Sequence, residues 1–150
     1  MLKVGHCRCG RVSLEVSAPP LLTMACHCRG CQRLTASAFS LTVAVPAEGF
    51  KVGGETEPVI GALHGPSGYY YCPHCLSWLY TKPQGMDFFV NVRSTMFDEP
   101  AWHVPFVETK TDEKLAWVTT PAKHSFGQFP PDDAFPAIVA EYAALAAKGG

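Results

Sequence analysis

Seven cysteines in three tight groups constrain this chain more than any other feature of its sequence. They are Cys7 with Cys9, then Cys26, Cys28 and Cys31, then Cys72 with Cys75. Clustered thiols at C-x-C and C-x-x-C spacing are typical of metal sites in a reducing compartment. The alternative is that they are free cysteines acting as small apolar core residues, but core packing gives no reason for such spacing. An odd number of cysteines also argues against a disulfide framework.

Two of these groups can combine into one closed zinc site. Zinc prefers tetrahedral coordination, and two short cysteine pairs from distant segments supply four thiolates. We call Cys7, Cys9, Cys72 and Cys75 the four-cysteine group, and we predict that it holds a structural zinc ion. A metal there would tie the N-terminal segment to a later hairpin. Zinc binding contributes to folding, on the order of 10 kcal/mol in small zinc peptides.

The remaining cysteines form a group that is one ligand short of a closed site. We call Cys26, Cys28 and Cys31 the three-cysteine group. Three protein ligands with one open position are the pattern of a catalytic zinc, where water or a substrate thiol can bind. Alternatively a histidine closes the site, and the candidates next to cysteines are His6, His27 and His74. In an extended segment, His27 would point away from its neighbours. Other groupings of the seven thiols are also possible.

The hydrophobic pattern predicts a mainly β domain of several antiparallel sheets built around zinc, with a short C-terminal helix. Alternation in RVSLEV puts Val12, Leu14 and Val16 on one face of a strand. Further predicted strands are FSLTVAV, GFKVGGE, GYYYC, LSWLY, MDFFVNV and KLAWVTT, with the C-x-x-C at the turn of a hairpin. QRLTAS predicts one helical turn. DDAFPAIVAEYAALAAK predicts a helix from Pro136, with Ile138, Tyr142 and Leu145 at helical spacing.

Length and charge limit the domain organisation and the partners. The 150 residues fit one domain, 1–150. The net charge is −1 and no run of Lys or Arg occurs, which argues against nucleic acid as a partner. The longest apolar stretches, such as 39–46, are too short to span a bilayer, so we expect no membrane association. The segment MLKVGHCRCG lacks an apolar signal-peptide core, and we expect a cytoplasmic protein.

Beyond the cysteine spacing, the order of motifs along nearly the whole chain resembles one known family. CRCGRVSLEV, CHCRGCQRLTASAF and YYCPHC follow one another as they do in the glutathione-dependent formaldehyde-activating enzymes, a family that also includes centromere protein V. FKVGGE, VRSTMFDEP and KLAWV are similar to later family segments. The chain departs from the family at three positions. Leu76, directly after the last C-x-x-C, and Thr95 stand where glycine is usual, and Phe97 stands where leucine is usual.

This resemblance implies a fold, a ligand assignment and a reaction. The fold is a set of coiled β-sheets, and there are two zinc ions: a structural one in the four-cysteine group and a catalytic one in the three-cysteine group. The type reaction is a carbon–sulfur lyase reaction that joins glutathione, as co-substrate, to formaldehyde. We therefore expect an enzyme whose partners are a small-molecule thiol and an aldehyde. The alternatives are a non-catalytic zinc-stabilised binding module, as centromere protein V suggests, and a metal-storage or delivery protein.

Polar residues near the three-cysteine group are candidate substrate contacts. Gln32 and Arg33 follow Cys31 directly, and an arginine there could hold the carboxylate of a peptide-like thiol. Asp98 in MFDEP could serve as a general base or orient a substrate amine. The alternatives are a solvated loop charge for Arg33 and an ordinary turn aspartate before Pro100 for Asp98.

Overall fold

Two β-sheets and two helices make up the fold, and the computed structural model describes residues 1–61 and 67–148. The strands are β1 Lys3–His6, β2 Val12–Val16, β3 Leu22–Cys26, β4 Ser40–Pro46, β5 Phe50–Gly54, β6 Val59–Gly61, β7 Gly68–Tyr71, β8 Trp78–Lys82, β9 Phe89–Arg93, β10 Val107–Thr109 and β11 His124–Ser125. The helices are α1 Arg29–Thr35 and α2 Phe135–Lys148. Short 3₁₀ turns include Ser94–Met96 and Pro100–His103. The predicted mainly β fold with a C-terminal helix is confirmed.

A small sheet packs on one face of a large one. The small sheet has the order β1-β2-β5, and the large sheet has the order β11-β10-β3-β4-β9-β8-β7-β6. The predicted apolar face of β2, formed by Val12, Leu14 and Val16, is fully buried in the core between the sheets. Val43 of β4 and Val92 of β9 belong to the same core. Each such side chain contributes about 1.5–3 kcal/mol relative to an exposed one.

The opposite face of the large sheet divides into an apolar half and a polar half. Leu22, Ala44 and Val107 form a second apolar cluster, and α2 packs on it through Ile138. Strand β10 runs parallel to β3, with Thr109 opposite Cys26, and this pairing brings a late chain segment to the end of β3. The polar half of this face lies beside the three-cysteine group.

One predicted strand is wrong. KLAWVTT forms no strand but a loop with a turn, and its Trp117 is 77% exposed. Its polar side chains contact β10 instead of pairing in a ladder, because Lys114 and Thr120 both donate hydrogen bonds to Glu108. Those contacts hold both ends of the loop against the large sheet, so the apolar alternation in this segment does not correspond to a buried strand face.

Candidate functional site

The four-cysteine group assembles at the end of the small sheet. Its four sulfur atoms come from before β2 and from the β7–β8 hairpin, and all lie within 4.8 Å of one another. The Sγ atoms of Cys7 and Cys9 are 3.5 Å apart, and those of Cys9 and Cys72 are 3.8 Å apart. Tetrahedral zinc with Zn–S bonds of about 2.3 Å needs sulfur–sulfur distances of about 3.8 Å. The donor set and its spacing therefore fit zinc.

The hairpin turn that carries Cys72 and Cys75 requires a left-handed residue. Leu76 has φ = 59°, and its N–H donates to the Cys72 carbonyl at 2.9 Å. The family that the sequence resembles usually has glycine at this position, and glycine adopts positive φ without steric cost. Leu76 is 70% exposed, so its side chain gains little from burial here. The sequence departure thus marks a strained residue beside a candidate zinc ligand.

The three-cysteine group lies where β3 meets α1. Cys26 ends β3, Cys28 is the N-cap residue of α1, and Cys31 is in its first turn. Their sulfur atoms lie within 4.8 Å of one another, and no histidine, aspartate or glutamate of residues 1–61 and 67–148 joins them. The Cys31 N–H donates to the Cys28 sulfur at 3.2 Å, which fixes the local geometry. Three soft donors without a fourth protein ligand fit a zinc ion that keeps one open position.

The three thiols shift one another's pKa values in opposite directions. Hydrogen bonds from Cys26 and Cys31 lower the pKa of Cys28 to about 2. The same contacts act in the opposite direction on the partners and raise the pKa of Cys26 and of Cys31. Zinc ligation would remove the protons of all three thiols, because the thiolate is the form that binds metal.

A buried ion-pair network holds the chain between two of these cysteines. His27 is fully buried, and its Nε2 lies 3.0 Å from Oε2 of Glu108 on β10. Glu108 also accepts hydrogen bonds from Lys114 Nζ at 2.9 Å and from Thr120 Oγ1 at 2.7 Å. Burial raises the pKa of Glu108, but these hydrogen bonds outweigh it and lower the pKa to about 2. His27 therefore points away from the sulfur atoms, as the sequence predicts, while His6 and His74 are exposed.

A cavity of about 360 Å³ opens beside the three-cysteine group. It lies on the polar half of the large sheet, and its lining includes Met24, Cys26, Cys31, Ser40, Thr42, Thr81, Asn91, Arg93 and Thr109. Aromatic walls come from Tyr69, Trp78 and Phe89. A volume near 300 Å³ or more suits a small organic ligand and far exceeds what formaldehyde alone would fill. A larger groove of about 680 Å³ lies elsewhere, and none of the seven cysteines lines it.

Arg93 is the residue of this cavity that sequence reasoning missed. It ends β9, where Val90 and Val92 enter the core and Asn91 and Arg93 face the cavity. The signal was present in the alternation of FVNVR, because the second face of that strand carries two polar residues within a buried segment. The sequence instead suggests Asp98, five residues later, as a candidate general base.

The predicted substrate contacts lie outside the cavity lining. The Gln32 side chain donates to the carbonyls of His27 and Glu113, at 2.7 and 3.0 Å, and thereby ties α1 to the loop after β10. Arg33 is exposed on α1, and Asp98 is exposed between two 3₁₀ turns. The substrate-binding roles of these three residues stay predictions.

Comparison with known proteins adds a family and a fold. The family model described as "Glutathione-dependent formaldehyde-activating enzyme" matches residues 2–113. A crystal structure of a Rhodobacter sphaeroides protein has a TM-score of 0.54 and 15% identity, and the match covers 82% of this chain and 98% of that one. At that identity it supports the fold alone. No curated protein sequence matches this chain. Within the described residues, neither helix is long and apolar enough to cross a membrane.

Proposed function

Because the chain belongs to the glutathione-dependent formaldehyde-activating enzyme family, we propose that it is a zinc-dependent enzyme that joins a thiol to a small aldehyde. Glutathione is the proposed thiol and formaldehyde the reference aldehyde. The sulfur forms a bond to the carbonyl carbon, and the thiol proton ends on the former carbonyl oxygen. No oxidant or reductant is needed, and the reverse reaction breaks the same carbon–sulfur bond.

The observation that carries this proposal is the unequal division of the thiols. Four sulfur atoms suffice to close one site, and three remain in a second group, of which Cys26 and Cys31 line a cavity. We assign the four-cysteine group to a structural zinc ion and the three-cysteine group to a catalytic one, giving two ions per chain. Zinc at the second site would act as a Lewis acid that lowers the pKa of a thiol and polarises a carbonyl.

The chain's own residues would orient the reactants and limit their contact with water. Thr109 of β10 and Ser40 of β4 lie opposite Cys26 on either side of β3, and all three residues line the cavity. Trp78 and Phe89 form apolar walls of the cavity, both 8% exposed. A less hydrated cavity strengthens the electrostatic interactions made with a polar substrate.

We also infer a cytoplasmic location, which the free thiols support. All seven cysteines are free, with no disulfide among the described residues. Thiols at metal-binding spacing persist in compartments that keep them reduced.

The test compares zinc content and turnover in the wild type and Cys28→Ser. We expect the wild type to retain two zinc ions and to accelerate formation of the glutathione–formaldehyde adduct, followed by NMR with ¹³C-labelled formaldehyde. The variant should lose one zinc ion and fall to the rate without protein, because it lacks one of three sulfur ligands. Unchanged turnover with two zinc ions still bound would end the proposal.

A further inference from the structure

Arg93 is a buried cation without a carboxylate partner. It is 7% exposed, and no Asp or Glu of the described residues lies within 4.0 Å of its guanidinium. Its contacts include a hydrogen bond from Nη2 to the Asn91 carbonyl at 3.2 Å and the face of Trp78, whose ring centroid is 3.8 Å away. Burial lowers the pKa of Arg93, but only to about 10, so it is charged at neutral pH. The thiolates of Cys31 and Cys26 favour its charged form, but no carboxylate of the described residues bonds it, and a buried charge without a hydrogen-bonded counter-ion is expensive. A bound anion would supply that counter-ion.

Four buried side-chain atoms at this part of the cavity lack hydrogen-bond partners within the described part of the chain. They are Nε1 of Trp78, Oγ1 of Thr81, Oδ1 of Asn91 and Nε of Arg93 itself, and all four residues line the cavity. Leaving a buried donor or acceptor unsatisfied costs about 1–3 kcal/mol. Four such atoms around one cavity form a built polar site, with N–H donors from Arg93 and Trp78 and an acceptor from Asn91.

Strand register places this polar site within reach of the three-cysteine group. Arg93 lies opposite Thr42 of β4, and Thr42 lies opposite Met24 of β3. Cys26 is two residues beyond Met24 and on the same face. Strand spacing and rise then put the Cα atoms of Arg93 and Cys26 about 12 Å apart. Both side chains line the same cavity, so one small molecule can contact both.

We propose that this cavity binds a carboxylate of the substrate through Arg93, with Trp78 as a second donor and Asn91 accepting from a nearby N–H. This inference rests on the proposed function and specifies that one of its two reactants carries a carboxylate. The planar guanidinium matches a carboxylate in a two-pronged geometry. A phosphate is a poorer match, because Arg93 is the only Lys or Arg among the described residues that line the cavity and Asp132 adds a negative charge to the same lining.

The carboxylate can belong to the thiol or to the carbonyl compound. Two pairs of probes, each an acid and an uncharged counterpart, separate these sources without requiring turnover. S-methylglutathione carries the carboxylates of the thiol but no free sulfhydryl, and its diethyl ester lacks those charges. Glyoxylate carries a carboxylate on an aldehyde, and formaldehyde is its uncharged counterpart. Calorimetric titration of the zinc-loaded protein measures each probe, so the result does not depend on whether the protein catalyses the proposed reaction.

We expect the acid form of at least one probe to bind more tightly than its uncharged counterpart, by about 30-fold or more, because a buried charged pair is worth 2–5 kcal/mol on truncation. Arg93→Gln should abolish this preference, and Arg93→Lys should retain part of it. Lys51→Gln removes an exposed positive charge from the small sheet and should leave the preference intact. If Arg93→Gln fails to fold, two measurements still test the inference. They are the preference of the wild type for the acid probe over its uncharged counterpart, and the same preference in Arg93→Lys.

Three results would overturn this inference. The first is equal binding of acid and uncharged probes by the wild type. The second is a preference that survives in Arg93→Gln while zinc content falls, which would make Arg93 a counter-ion for the sulfur atoms. The third is loss of the preference in Arg33→Gln but not in Arg93→Gln, which would return carboxylate binding to the exposed arginine of α1.

Discussion

Replacement of Glu108 by glutamine tests how the protein holds the chain around Cys26 and Cys28. Glu108 bonds His27 and Lys114 in a buried network, with side-chain exposures of 0% and 22% for these partners. Glutamine keeps the shape but removes the charge. The chain also contains a matched control, because Glu141 bonds His124 and Lys123 at an exposed site.

The expected magnitude follows from burial and from the pKa. Hydrogen bonds to charged groups contribute about 1.5–3 kcal/mol each, so weakening two costs about 3 kcal/mol. The lowering of the Glu108 pKa from 4.5 to about 2 corresponds to a similar free energy, about 3 kcal/mol at 1.36 kcal/mol per unit. We therefore expect the unfolding midpoint of Glu108→Gln to fall by about 6–12 °C. Glu141→Gln should lower the unfolding midpoint far less, because exposed pairs are screened by solvent.

The assay is thermal unfolding of the zinc-loaded variants at neutral pH, followed by tryptophan fluorescence and zinc release. Since the folded-state pKa of Glu108 is depressed, its contribution is present above pH 4.5 and is lost as the pH falls toward 2. The difference in unfolding midpoint between the wild type and Glu108→Gln should shrink as the pH falls from 4.5 toward 2. Zinc affinity at the three-cysteine group should fall about 10–100-fold, as for other residues that orient a metal-binding segment. Equal destabilisation by Glu108→Gln and Glu141→Gln at neutral pH would refute the reasoning.

Three further substitutions test the packing and backbone, each by denaturant unfolding. Leu14→Ala should cost about 2–5 kcal/mol, because Leu14 is fully buried between the sheets; a loss below 1 kcal/mol would contradict that packing. Leu76→Gly should raise stability by about 0.5 kcal/mol, since relief of the left-handed backbone exceeds the entropy cost of glycine; a decrease would contradict the strain. Gly54→Ala should destabilise by more than 1 kcal/mol, because Gly54 has φ = 103° and a Cβ would lie 2.4 Å from the Arg11 carbonyl oxygen. A neutral result there would contradict the turn geometry.

The fold class and both cysteine groups could be predicted because their signals are local. Alternation at Val12, Leu14 and Val16 identifies a half-buried strand, and C-x-C and C-x-x-C spacing brings thiols together within one turn. The C-terminal helix follows from its period around Ile138, although Leu145 is 46% exposed. These features depend on neighbours in sequence. The union of Cys7 and Cys9 with Cys72 and Cys75 joins distant segments instead, and it follows from the four ligands that a closed zinc site needs.

Long-range pairing could not be predicted from such signals. Strand β10 is three residues long, and its parallel partner β3 is distant in sequence, so nothing local indicates that Glu108 meets His27. The same limitation applies to Arg93, whose partners in the cavity come from β3, β4 and β8. Interpretation by proximity in sequence favoured Arg33 and Gln32, which follow the cysteines but do not line the cavity.

The proposed function requires that the three-cysteine group holds a zinc ion with one position open to substrate. Zinc X-ray absorption spectroscopy on protein loaded with two zinc ions measures the sulfur ligands directly. With one closed and one open site, the mean should be about 3.5 sulfur ligands per zinc ion, rising to about 4 when glutathione is added. A mean that does not change with glutathione, with the fourth position filled by a protein nitrogen, would contradict the account and make both sites structural.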